Sequence, residues 1–72
     1  MKILVGRCRI RELRKARGWT QKDLSDRSSI GRTTLTQYET GKRKKMPLVI
    51  AVPIADALDV SPRDLFEWIT EE

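Results

Sequence analysis

The sequence contains no histidine, one cysteine, three prolines and four aromatic side chains among its 72 residues. Without histidine it lacks the commonest general base and the commonest transition-metal ligand. A lone Cys8 cannot close an internal disulfide, so packing must hold the core, as suits a reducing cytoplasm. Long apolar runs are also missing. The longest, Met46 to Ala55, is interrupted by Pro47 and Pro53 and falls far short of the ~20 residues a membrane span needs. Ile3-Leu4-Val5 is too short for the core of a secretion signal. No repeat, nucleotide-binding loop, metal-ligand cluster or nucleophile–base pair is present. These absences predict a chain that is not an enzyme, takes no cofactor or metal, and stays off the membrane.

What is present is charge. Apolar residues make up 39% and charged residues 35%, the mix of a soluble folded domain. A chain of this length buries only roughly 60% of its unfolded surface, so a single domain over residues 1–72 is expected. The net charge of +5 is unevenly placed. Residues 1–45 carry fourteen Lys or Arg against Glu12, Asp23, Asp26 and Glu39, whereas residues 46–72 carry Arg63 against six acids. A strongly basic half suits a polyanionic partner, because each phosphate it neutralises releases condensed counterions. A merely lopsided solvated surface would look the same, and only motifs separate the two.

Periodicity predicts helices throughout. Ile10, Leu13 and Ala16 recur at helical spacing, and Gly18 follows as a left-handed stop. Thr20 with Asp23 forms a capping-box-like start to a second helix carrying Leu24 inward, which Ser28-Ser29 ends by competing for the backbone. Gly31 can cap a third helix, Arg32 to Thr40, with Leu35 and Tyr38 on its inner face. Arg32, Thr33, Thr36, Gln37 and Thr40 line the opposite face, and Gly41 closes the helix before the basic run Lys42-Arg43-Lys44-Lys45. Leu48, Ala51, Ile54, Ala55 and Leu58 mark a fourth helix, which Pro53 is expected to bend or delay. Ser61-Pro62-Arg63-Asp64 is a start signal for a short fifth helix docked by Leu65, Phe66 and Ile69.

Two short helices joined by a tight turn, the second with an outward polar face, make a helix-turn-helix pattern over residues 20–40. From Ile10 to Phe66 the chain resembles the Cro and phage-repressor-like helix-turn-helix family, also called the xenobiotic-response-element (XRE) family. The resemblance rests on Ile10-Arg11-Glu12-Leu13-Arg14, Trp19-Thr20-Gln21, Leu24, Arg32-Thr33-Thr34-Leu35 and Glu39-Thr40-Gly41-Lys42-Arg43. Ile54 to Ser61 and Asp64-Leu65-Phe66 extend it. Single pieces are weak signals; this order and spacing is specific. It implies an all-α, compact five-helix, lambda-repressor-like DNA-binding domain whose third helix enters the major groove of double-stranded DNA. Such a protein would be a sequence-specific transcriptional regulator, a repressor occupying an operator, working in the cytoplasm on the nucleoid.

The resemblance implies roles residue by residue, and chemistry agrees with each. Arg32 can fork onto guanine O6 and N7, Gln37 can pair with adenine N6 and N7, and Thr33 and Thr36 can meet a thymine methyl or a base edge. Gln21, at a helix start, together with Thr40, Lys42, Arg43 and Lys44, would hold phosphates, which positions the protein without specifying sequence. An ion pair between Arg14 and Glu39 would tie the first helix to the end of the third. Ser28, Ser29 and Gly31 depart from the family pattern around the turn, which touches the tilt of the reading helix and not the fold.

Two features lie outside that pattern. Arg7 to Arg11 and Phe66 to Glu71 both alternate polar with apolar residues. The segments 2–9 and 67–71 could therefore pair as an antiparallel β-ribbon, with Arg7 and Arg9 against Glu67 and Glu71 and Cys8 beside Trp68. Equally, the first and fifth helices could extend through them. Val49, Ile50, Val52, Trp68 and Ile69 exceed what a small core needs, and an exposed remainder would form a homodimer interface. A symmetric dimer would read two half-sites one helical turn apart. The competing reading is a protein-interaction module, an antitoxin-like subunit or adaptor binding a protein partner through that apolar surface.

Overall fold

The computed structural model describes all 72 residues. A strand, β1 (Lys2–Cys8), leads into four helices, α1 (Ile10–Ala16), α2 (Gln21–Ser28), α3 (Arg32–Glu39) and α4 (Leu48–Leu58), then one 3-10 turn (Pro62–Leu65) and a strand, β2 (Phe66–Glu71). No helix is long and apolar enough to cross a membrane.

Local signals set the helix ends. At the end of α1 the Gly18 N–H donates to the Lys15 carbonyl and the Trp19 N–H to the Arg14 carbonyl. That double closure needs a left-handed residue, and Gly18 supplies it at φ +73°. Thr20 and Asp23 form the reciprocal cap of α2: the Asp23 N–H donates to Thr20 Oγ1 (3.2 Å) and the Thr20 N–H to Asp23 Oδ2 (2.9 Å). Ser29, not glycine, takes the left-handed turn position at φ 61°. Two serines brace that turn, Ser25 Oγ donating to the Ile30 carbonyl at 2.6 Å and Ser28 Oγ accepting from the Ile30 N–H at 3.2 Å.

The core joins the helices around fully buried Ile10, Leu24, Leu35, Tyr38, Ile54, Leu58 and Leu65. Pro53 neither delays nor breaks α4. The helix begins at Leu48, directly after Pro47, and runs through Pro53 to Leu58, because Ala51, Ile54, Ala55 and Leu58 bury one continuous stripe that outweighs the single lost hydrogen bond.

The chain ends form the antiparallel ribbon, and this corrects the five-helix count. The Ser61 cap is made as expected, with Ser61 Oγ accepting from the Arg63 N–H and Asp64 Oδ2 from the Ser61 N–H, yet the helix it starts lasts a single turn. At Phe66 the backbone turns extended (φ −134°, ψ 156°). Aromatic and β-branched residues then pair with β1. Ile69 consequently does not dock in the core; it stands exposed.

The register also differs from the expected one. Lys2 faces Glu71, Leu4 faces Ile69, Val5 faces Trp68, and Cys8 faces Phe66 rather than Trp68, with an irregularity between Val5 and Cys8. Arg7 does meet Glu67, Nε to Oε1 at 2.8 Å. Arg9 does not reach Glu71: its side chain bonds Glu12 at 2.9 Å and its N–H donates to the Leu65 carbonyl at 2.7 Å. Gly6 explains the close crossing. A methyl group there would lie 2.9 Å from the Glu67 carbonyl oxygen.

Candidate nucleic-acid interface

Burying Leu35 and Tyr38 fixes the rotation of α3, since residues three apart share a face. The opposite face then points outward. Arg32, Thr33, Thr36 and Gln37 of α3, with Gln21 of α2 and Lys42 beyond α3, surround a shallow depression of about 360 Å³ whose lining holds no apolar side chain and no acid. Six polar residues singled out separately in the sequence thus share one surface. Arg32, Lys42, Arg43, Lys44 and Lys45 have no acidic partner, whereas Arg7, Arg9, Arg14 and Lys22 do. Five of the ten unpaired cations of residues 1–45 thus lie along and after the outward helix, the other five being Lys2, Arg11, Lys15, Arg17 and Arg27.

The depression is braced from below. Thr36 Oγ1 donates to Gln21 Oε1 at 3.0 Å, which leaves the Gln21 amide hydrogens directed elsewhere at the start of α2. Arg14 grips the end of α3 from the other side, its Nε and Nη2 donating to the two Glu39 carboxylate oxygens at 3.1 and 3.0 Å while Nη1 donates to the Trp19 carbonyl at 3.1 Å. Both side chains are nearly buried, at 11% and 4% exposure. Such a pair roughly cancels its own desolvation cost, so its effect is to orient α3 against α1.

The remaining predicted phosphate contacts lie around this surface rather than in it. Thr40 donates its hydroxyl proton to the Thr36 carbonyl at 2.8 Å, so a phosphate would compete for that proton. Arg43 stacks over the Tyr38 ring at 5.5 Å, and its N–H donates to the Gln37 carbonyl. Lys44 turns toward a second, apolar groove. Of the predicted dimer residues, Val49 and Val52 are exposed on α4 and Trp68 and Ile69 on the ribbon, while Ile50 packs partly against the core.

Sequence reasoning overlooked three braces. The Tyr38 hydroxyl donates to the Lys45 carbonyl at 2.7 Å, pinning the basic loop to the core. Trp19 is flanked by the guanidinium groups of Arg17 and Arg27, 5.3 and 4.4 Å from its ring. The Trp68 indole N–H donates to the Arg63 carbonyl at 2.6 Å. The buried Tyr38 was legible as core; its hydroxyl, which needs a partner when buried, was the available signal.

Two side chains have shifted acidities. Burial pushes the Cys8 thiol above its ordinary value, more than a backbone hydrogen bond from Ile10 lowers it, so at neutral pH it is a protonated packing group. Hydrogen bonds from the Thr20 backbone and side chain hold the Asp23 carboxyl below the usual carboxylate value, consistent with its capping role.

The chain is similar to known proteins over most of its length. A family profile described as helix-turn-helix matches residues 10–65. The chain is 32% identical over 71 residues to an SPbeta prophage-derived uncharacterized HTH-type transcriptional regulator, YopS, of Bacillus subtilis (strain 168), covering 99% of this chain and 96% of that protein. It is also similar to the crystal structure of the restriction-modification controller protein C.AhdI from Aeromonas hydrophila, with a TM-score of 0.72, 41% identity, and coverage of 81% of this chain and 86% of that one. With the match spanning most of its length and the outward polar helix in place, the chain belongs to the XRE-type helix-turn-helix family of DNA-binding transcriptional regulators.

Proposed function

We propose that this regulator represses transcription by occupying a specific operator, with α3 in the major groove. The observation that carries the reading is the acid-free depression bounded by Gln21, Arg32, Thr33, Thr36, Gln37 and Lys42. In this reading Arg32 and Gln37 supply the bidentate base contacts, Thr33 and Thr36 flank them, and Gln21, Lys42, Arg43 and Thr40 hold phosphates on either side, Lys44 facing the other groove instead. Thr36 both orients Gln21 and borders the bases.

The operator-bound form is a homodimer. One small module buries too little surface for tight specific binding, and a two-fold pair reads two half-sites about 34–36 Å apart. Val49 at 77% exposure and Val52 at 40% give α4 an apolar outer face that supports this arrangement. The experiment is selection of bound duplexes from a random pool. A two-fold symmetric motif from the unsubstituted protein, lost with Arg32→Ala and Gln37→Ala together, is expected. Recovery of no motif would refute the proposal.

A further inference from the structure

A second groove lies between the base of the ribbon and the start of α4. It has a volume of about 590 Å³ and shares no residue with the depression over α3. Its floor is apolar, built from Val5, Met46, Leu48, Phe66 and Trp68. Its rim carries Lys44, Lys45 and Arg63, none of which has an acidic partner. Leu48 is 70% exposed and Trp68 42%, so large apolar groups stand open to water.

The groove is also preformed. The Trp68 indole is held by its bond to the Arg63 carbonyl and by an edge-to-face contact with Phe66, centroids 6.4 Å apart. The Arg63 guanidinium sits 5.8 Å from the Trp68 ring centroid. Lys45 is anchored through its carbonyl by Tyr38. A fixed aromatic wall lowers the ordering cost of binding.

We infer that this groove binds an acidic peptide segment of a partner protein, anchored by one or two large apolar side chains. Charge complementarity decides the occupant. Three unneutralised cations around an apolar floor complement carboxylates flanking an apolar anchor, the arrangement in which charge sets partner choice and apolar burial holds the segment. A second copy docked groove to groove fits poorly, because a two-fold contact sets the same patch against itself and would bring Lys44, Lys45 and Arg63 toward their own counterparts. Duplex DNA would satisfy the cations and leave the floor uncovered.

The test is selection of short random peptides displayed on phage against the full chain. Each enriched peptide is then synthesised, and its effect on the backbone amide and indole NMR signals of the unsubstituted protein is mapped. Enriched sequences should pair Asp or Glu with Leu, Phe or Trp and should shift Met46, Ala51 and the Trp68 indole. Leu48→Ser and Arg63→Glu should each weaken the peptide about tenfold or more, with duplex binding retained. Arg63→Gln, which removes the charge without reversing it, serves if the reversal disturbs folding. Peptides without acids, or binding indifferent to Leu48 and Arg63, would overturn the inference. Conversion of a dimer to a monomer by Leu48→Ser would also overturn it, by giving the groove to a second copy. Groove signals that shift with duplex DNA in place of peptide would overturn it in favour of nucleic acid.

Discussion

The hydroxyl of Thr36 donates to Oε1 of Gln21 across 3.0 Å, joining the middle of α3 to the first residue of α2. The bond couples a side chain on the proposed reading surface to one proposed to hold a phosphate at a helix start. Replacing Thr36 by Val keeps the shape and removes the donor. A single such bond contributes about 1 kcal/mol, so Thr36→Val should weaken operator binding roughly fivefold, and Thr36→Ser should restore it. Fluorescence anisotropy at one fixed salt concentration measures both. Wild-type affinity for Thr36→Val would show that the bond orients nothing.

Arg14→Ala should destabilise the fold by about 3 kcal/mol, since it leaves a nearly buried Glu39 carboxylate unpaired. Replacing both partners, Arg14→Met with Glu39→Leu, should recover most of that loss. Urea unfolding reads the stability. Operator binding reads the orientation, and Arg14→Ala should weaken it beyond what one missing charge explains. Equal affinity and equal salt slopes for mutant and wild type would count against an orienting role.

Gly6→Ala should open the ribbon while sparing the helices. The added methyl lands 2.9 Å from a backbone oxygen of Glu67, and overpacking of this kind costs about 1–3 kcal/mol. Amide exchange should accelerate from Lys2 to Cys8 and from Phe66 to Glu71, with protection in α2 and α4 retained. Unchanged protection in the strands would mean that the crossing is looser than its geometry implies.

Acid should loosen the start of α2. The Asp23 carboxyl is held below its usual value by its Thr20 hydrogen bonds, so its contribution is complete above the unfolded value of about 3.9 and is lost as pH falls through the lower folded value. The stability gap between wild type and Asp23→Ala should be constant above about pH 5 and shrink below about pH 4. Urea midpoints for both proteins across that range test it; a gap independent of pH would contradict the capping role.

The parts of this molecule legible in its sequence are those decided by neighbours in the chain. Gly18 as a stop, the Thr20–Asp23 cap, the Ser61 cap, and the inward Leu35 and Tyr38 all depend on residues within one or two turns. The fifth helix failed because its start signal was local and its continuation was not. Phe66 to Thr70 finds hydrogen-bond partners in β1, more than fifty residues away. The ribbon itself was visible as alternation, but its register was not: Trp68 pairs with Val5, a register that would set Cys8 opposite Leu65, and the irregularity between Val5 and Cys8 moves it to Phe66. On the outward face of α3 the clustering of polar residues was legible, whereas the Thr36–Gln21 bond depends on the angle between α2 and α3. The division of the basic run, with Lys42 beside α3 and Lys44 and Lys45 over the apolar groove, depends on where Tyr38 pins the loop.

Base reading by the outward face of α3 is tested most directly by a ratio of affinities. Binding of the selected duplex and of a shuffled duplex should be measured for wild type and for Arg32→Ala with Gln37→Ala at one salt concentration. Wild type should prefer the selected duplex by about 10³ or more. The double substitution should collapse that preference by about 1–3 kcal/mol per lost bidentate contact while leaving most of the shuffled-duplex affinity. A preference unchanged by the double substitution would show that Arg32 and Gln37 do not read bases.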